Sequence, residues 1–217
     1  MNLTPIAGTA AAAVLEDMGL RPLVGDALRY QPSPPAVVAP LVDELGIPRG
    51  AQVMEINGPR GRERLTFRLI GARPGLTIKI RPWKSGPLVI ARGIIEGLAY
   101  ASLRPDVAVW AALKNEDRSA LVIPEGVTQV ILPTVVADDE RRRRDMAEGQ
   151  ALASLGFEAK MEAALAESWL VAARSATGRR KALERWEAEK VSPQSQTYYP
   201  DGTVWTYRHG LTRWRRD

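Results

Sequence analysis

Apolar positions along the chain follow two rhythms, and the change between them divides it. Residues 9–18 carry a helical spacing, with Thr9 placed to cap the first turn and Gly19 to stop the last, which directs Val14, Leu15 and Met18 to a buried face. Pro32, Ser33, Pro34 and Pro35 follow and predict an extended linker. Residues 37–80 then change to short runs typical of antiparallel strands, notably 51–56 and 65–69, with a turn at Asn57 and Gly58 or at Gly61.

From residue 88 the rhythms alternate. A strand over 88–91, a helix over 94–102, strands over 107–111 and 128–132 and a helix over about 139–155 predict a largely parallel, three-layer α/β sheet. Residues 160–190 read as helical, with a break at Thr177 and Gly178 and a polar face dense in Arg, Lys and Glu. The stretch TYYPDGTVWTY reads as a hairpin: Tyr198 and Tyr199 lead into Asp201 and Gly202, and Val204, Trp205 and Tyr207 return.

Composition narrows the choice of chemistry. With 217 residues there is enough chain for one good core and a small appendage. No apolar run approaches the roughly 18 residues that span a bilayer, and the N-terminus lacks a basic region followed by an apolar core, so neither a membrane location nor signal-directed export is expected. The absence of cysteine excludes a disulfide, a Cys-based zinc site and a thiol nucleophile; any metal would need carboxylates. His209 is the single histidine, too little to support a Ser/His/Asp hydrolase. No G-x-x-x-x-G-K-[ST] run is present to fuel translocation. The 30 Lys and Arg against 25 Asp and Glu leave a net charge of +5, which suits an anionic partner.

Residues 88–101, LVIARGIIEGLAYA, place an apolar strand before Arg92, a glycine at Gly93 and then a helix. This run resembles the Toprim signature of phage and plasmid primases, in which the strand ends in a glutamate followed by glycine and a helix, as in AEGIETAL. The resemblance extends from TPIAGT and ALRYQP near the N-terminus to VWAAL and VIPEGVTQVIL, covering about residues 4–163. It implies an α/β protein with a Toprim-like, mostly parallel sheet flanked by helices and a small β-rich N-terminal insert, to which the residue pattern adds a C-terminal helix plus hairpin. Its divisions would be 1–86 ahead of Toprim, 87–163 as the Toprim-like core, and 164–217 as helix and aromatic, basic tail.

The resemblance also implies a strand-end glutamate as acid and base, and an Asp-x-Asp pair holding magnesium for phosphoryl transfer. Here the glutamate position is Arg92, whose guanidinium can neither bind Mg²⁺ nor act as a base at neutral pH. Glu96 lies one helical turn further on, too far for a simple exchange. The expected aspartates fall on Thr134 and Val136 in VILPTVVADD, with Asp138 and Asp139 slightly later. Either those two are displaced site acids, with Arg92 paired to one of them as a fixed cation, or they cap the next helix. The degenerate site therefore comprises Arg92, Gly93, Glu96, Asp138 and Asp139, with no catalytic residue, metal or cofactor assigned. A retained metal-dependent activity is the minor alternative, one that Asp138→Ala would abolish.

The charged surface offers two clusters. Arg141, Arg142, Arg143 and Arg144 would encircle a helix, so a solvated face paired with neighbouring acids competes with a shared ligand. Arg208, Arg213, Arg215 and Arg216 interleave with Trp205, Tyr207 and Trp214, a mixture that suits single-stranded nucleic acid and protein interfaces alike. The leading expectation is a non-catalytic Toprim-like protein of a phage or mobile element, binding DNA as a replication or packaging accessory in a bacterial cytoplasm. The alternative is a structural subunit of a virion or other assembly, with protein partners or further copies of itself.

Overall fold

The computed structural model describes residues 3–20, 27–58, 64–71, 73–135, 138–164, 168–174, 196–198, 204–206 and 215–216; Arg64 and the last three stretches are described as backbone alone. Two sheets share one core. The first is antiparallel and runs in chain order: β1 (Thr4–Pro5), β2 (Arg29–Pro32), β3 (Pro35–Val42), β4 (Pro48–Asn57) and β5 (Arg64–Ile70). Helix α1 (Ala10–Asp17) stands between β1 and β2, with the Thr9 side chain accepting the Ala12 N–H as the sequence predicted. Its buried face is Ala11, Ala12 and Leu15, whereas Val14 and Met18 are only partly covered. The proline cluster forms no linker. Pro32 pairs with Pro35 across a tight turn containing a cis Ser33–Pro34 peptide, which joins β2 to β3.

The second sheet has eight strands: β6 (Ile78–Arg81), β7 (Leu88–Arg92), β8 (Ala108–Ala112), β9 (Gln129–Thr134), β10 (Glu158–Ala163), β11 (Gln196–Tyr198), β12 (Val204–Thr206) and β13 (Arg215–Arg216). Its spatial order is β13-β12-β11-β10-β9-β7-β8-β6. Only β10, β9, β7 and β8 run parallel. Parallel neighbours need a crossover, and helices α2 (Ile94–Leu103) and α3 (Asp139–Ser154) supply it after β7 and β9. On one flank β6 joins antiparallel, and on the other β11 to β13 do so. The sheet is therefore mixed rather than mostly parallel, and the first sheet is antiparallel throughout.

Strand β10 overturns the helical reading of residues 160–163. Glu158, Ala159, Lys160, Met161, Glu162 and Ala163 are mostly good helix formers, but pairing with β9 on one side and β11 on the other overrides that preference. Of the expected helix after residue 160, only α4 (Trp169–Arg174) is seen; residues 175–195 lie outside the described set. The hairpin reading agrees with the pairing of β11 and β12, Thr197 opposite Trp205. No helix among the described residues is long and apolar enough to cross a membrane.

The run Leu88, Val89, Ile90, Ala91 is continuous in apolarity because β7 is buried on both faces. Val89, Val109, Ala111 and Ile131 pack with α2, α4 and the first sheet, while Leu88, Ile90, Trp110, Val130 and Leu132 pack with Leu152 and Ala153 of α3. Gly97 lets α2 lie close to the sheet, since a Cβ there would stand 2.5 Å from Ile80 Cδ1 and 3.3 Å from the Ala111 Cβ.

Beneath α2 the Tyr100 ring packs against Trp169 at a centroid distance of 4.8 Å, and its hydroxyl donates to Glu162 at 2.9 Å. Burial, then the neighbouring carboxylate, raise the Tyr100 pKa well above its ordinary value. The folded chain keeps that proton where the unfolded chain loses it, so stability falls as pH climbs past about 10, by up to ~1.4 kcal/mol per pH unit from this one group. Urea denaturation of wild type and Tyr100→Phe between about pH 9 and 11 should show the shallower decline in the variant.

Candidate functional site

Alternation along β7 directs the Arg92 side chain to the face shared by Leu88 and Ile90, which is the α3 face. Arg92 is the last residue of the strand, and Gly93 follows at φ +90°, a backbone turn that L side chains rarely adopt and that starts α2 at once. The C-terminal ends of parallel strands are where open α/β sheets build their sites. Arg92 lies under this edge with its side chain only 6 % exposed.

Its guanidinium donates to Asp145 Oδ1 at 2.8 Å and to Glu148 Oε2 at 2.6 Å. Both acids project from the inward face of α3 and are buried. A second arginine, Arg118, comes from a single 3-10 turn (Arg118–Ala120) after β8 and is fully buried. It donates to Glu148 Oε2 at 2.7 Å, to Asp145 Oδ1, and to the carbonyls of Ile90 and Pro133 at 3.2 and 3.1 Å. The Thr134 hydroxyl, at the end of β9, donates to the other Asp145 oxygen at 2.5 Å. Arg141, in the first turn of α3, pairs with Glu96 in the first turn of α2, and Glu96 also accepts the Arg92 backbone N–H at 3.2 Å.

Three arginines and three carboxylates thus meet at the ends of β7 and β9 and balance in charge. Burial opposes the charge on Arg92, but its hydrogen bonds to Glu148 and Asp145 and the charges of those two acids outweigh it, and its pKa stands above the ordinary value. Glu96 goes the other way: burial raises its pKa despite the opposing pull of Arg141 and Arg118. Arg92 Nε and Arg141 Nε have no hydrogen-bond partner among the described residues.

Of the residues expected at this site, Arg92, Gly93 and Glu96 are brought together, but Asp138 and Asp139 are not part of it. The Asp138 carboxylate caps α3, accepting the Arg141 N–H at 2.9 Å, and Asp139 is exposed and pairs with Arg142 at 3.0 Å. The partners of Arg92 lie seven and ten residues beyond Asp138, where helical spacing returns side chains to the sheet. Asp138→Ala should therefore cost about 1 kcal/mol in urea denaturation, as loss of a cap, and leave the buried network standing. The arginine run divides in the same way: Arg141 turns inward, while Arg142 and Arg144 pair with acids one turn back on an exposed face.

Sequence reading passes over Arg118, Asp145 and Glu148, and names Thr134 only as the position where an aspartate is expected. Arg141, Asp145, Glu148 and Leu152 do recur at spacings of four, three and four, which mark one helical face. Arg118 sits in a polar turn and carries no such signal. Of the C-terminal residues, Trp205 lies in β12 and Arg215 and Arg216 in β13, with Trp205 opposite Arg216; Tyr207, Arg208, Arg213 and Trp214 lie outside the described residues.

Above the network a cleft of about 710 Å³ opens between the two sheets. Phe67 and Leu69 of β5 form one wall, Gly93, Ile94 and Ile95 another, and Arg73 and Lys114 stand at its rim.

No family model matches the chain, and no curated protein does. Solved structures resemble it in fold. The primase fragment of the bacteriophage T7 primase-helicase protein aligns with a TM-score of 0.53 and 15 % identity over 73 % of this chain and 64 % of that one. The Aquifex aeolicus primase, zinc-binding and RNA polymerase domains, gives 0.51 and 14 % over 86 % and 50 %. The DnaG primase catalytic domain bound to ssDNA gives 0.50 and 16 % over 83 % and 60 %. This chain spans between half and two thirds of the length of those structures. What is common to them and to this chain is a mixed α/β fold of the kind found in the catalytic domains of DNA primases.

Proposed function

We propose that this chain is a non-catalytic, degenerate Toprim-like protein of a phage or mobile element that binds DNA as an accessory to replication or packaging. The observation that carries the reading is the Arg92 guanidinium at the end of β7, locked between Asp145 and Glu148. The donor set there does not fit the magnesium ion that the Toprim resemblance implies. A fixed cation stands at the strand end, the two nearest carboxylates already accept hydrogen bonds from Arg92 and Arg118, and Glu96 is held by Arg141. Such a cluster holds the strand ends together and leaves none of its own three carboxylates without an arginine partner.

DNA binding is supported by the net charge of +5, by the likeness to primase domains, and by the C-terminal hairpin, whose register sets Trp205 beside Arg216. The test of silence is primer synthesis and strand cleavage by the full chain on single-stranded DNA with nucleoside triphosphates and Mg²⁺ or Mn²⁺. Neither product should exceed the level without protein; synthesis lost in Asp145→Asn would end the non-catalytic reading.

A further inference from the structure

Strand β5 is the outermost strand of the antiparallel sheet among the described residues. Its seven pairs with β4, from Asn57 opposite Arg64 to Ala51 opposite Ile70, run without a register shift, so its other edge presents a regular row of backbone N–H and C=O groups. Natural edges are commonly blunted by a proline, a bulge or inward charges. This strand has no proline and no bulge in its pairing, and its described charge, Arg68, is held by Glu55 at 3.5 Å. Phe67 and Leu69 alternate with Arg68 and face the cleft, each 48 % exposed, a large apolar area for side chains on a well-paired strand.

We propose that this edge and cleft receive an extended peptide of a protein partner, added antiparallel beside β5, whose every second residue faces the cleft and is apolar or acidic. Apolar side chains would lie against Phe67 and Leu69. Carboxylates at other cleft-facing positions of the peptide would meet Arg73 and Lys114, the exposed cations that line the cleft. Nucleic acid fits this surface less well. Two exposed cations are few for a phosphate backbone, and a nucleic acid cannot continue a β-ladder. The proposal is independent of the DNA contact at β12 and β13, and either can fail alone.

The test is fluorescence anisotropy of the full chain with a labelled ten-residue peptide whose alternate positions carry Val, Ile or Phe in the middle and Asp or Glu towards the ends, with Ser or Thr between them. Binding is expected with a Kd on the order of 10 µM, and at least about tenfold weaker when lysines replace the acids or when alternate backbone nitrogens are methylated. Phe67→Asp and Lys114→Glu should each weaken the acidic peptide by about tenfold or more with an unchanged circular dichroism spectrum. Should Phe67→Asp fail to fold, Lys114→Glu decides the matter, since that side chain is exposed. No binding at about 1 mM peptide, equal binding of the acidic and lysine peptides, or insensitivity to Lys114→Glu would overturn the proposal. Displacement of the peptide by a ten-nucleotide oligo-dT would do so too, by assigning the cleft to nucleic acid.

Discussion

Arg118→Ala is expected to be the most damaging single truncation in the described part of the chain. The side chain is fully buried and donates to Asp145, Glu148 and the carbonyls of Ile90 and Pro133, so it ties α3 to the ends of β7 and β9. Its removal leaves two buried carboxylates with one arginine fewer and two carbonyls without this donor. Breaking a buried ion pair from one side costs about 3–5 kcal/mol, and the lost carbonyl bonds add to it. Since domains of this size are stable by about 5–15 kcal/mol, the variant should unfold at much lower urea or fail to fold at 25 °C. Arg142→Ala, on the exposed face of the same helix, should change stability by less than about 0.5 kcal/mol. A midpoint close to wild type for Arg118→Ala would mean that the network contributes little.

Arg92→Glu is the second large effect, and the one that bears on chemistry. The substitution writes the Toprim-type residue back into the strand end, where sequence comparison alone would expect a step towards activity. In this structure it would place a third carboxylate against Asp145 and Glu148 and remove the cation that both contact. Like charges within hydrogen-bonding distance cannot all ionise in a buried site, so at least one acid must hold a proton or the helix must move away. The expected outcome is destabilisation of at least ~3 kcal/mol at neutral pH, partly recovered as pH falls and the acids protonate. No primer synthesis is expected, because Arg118 and Arg141 still occupy Asp145, Glu148 and Glu96. A stable Arg92→Glu protein with metal-dependent synthesis would show that the arginine was the sole block.

Much of the scaffold around this site was legible in the sequence because local signals and tertiary structure agree there. The continuous apolar run ending at Arg92, the glycine and the following helix are found within one residue of where the pattern put them. So is the long helix starting at Asp139, with Asp138 as its cap. The misreadings have specific causes. Residues 160–163 carry helical propensity that strand pairing overrides, and the proline cluster forms a hairpin turn where composition suggested a linker. Motif order points to Asp138 and Asp139 as partners of Arg92, whereas its partners Asp145 and Glu148 come from the inward face of α3, and Arg118, which shares those two acids, comes from a turn after β8. Contacts of that kind depend on how elements pack, which no local signal records for a lone residue such as Arg118.

The proposed role is contact with DNA without chemistry upon it. The measurement that bears on it most directly is the affinity of the full chain for labelled single-stranded DNA, read by anisotropy from about 50 to 300 mM salt. The account predicts binding at the low end, with log K falling linearly against log salt as counterions are released. It also predicts weaker binding, with the core still folded, once residues 198–217 are removed. Absence of any complex at about 50 mM salt would contradict it.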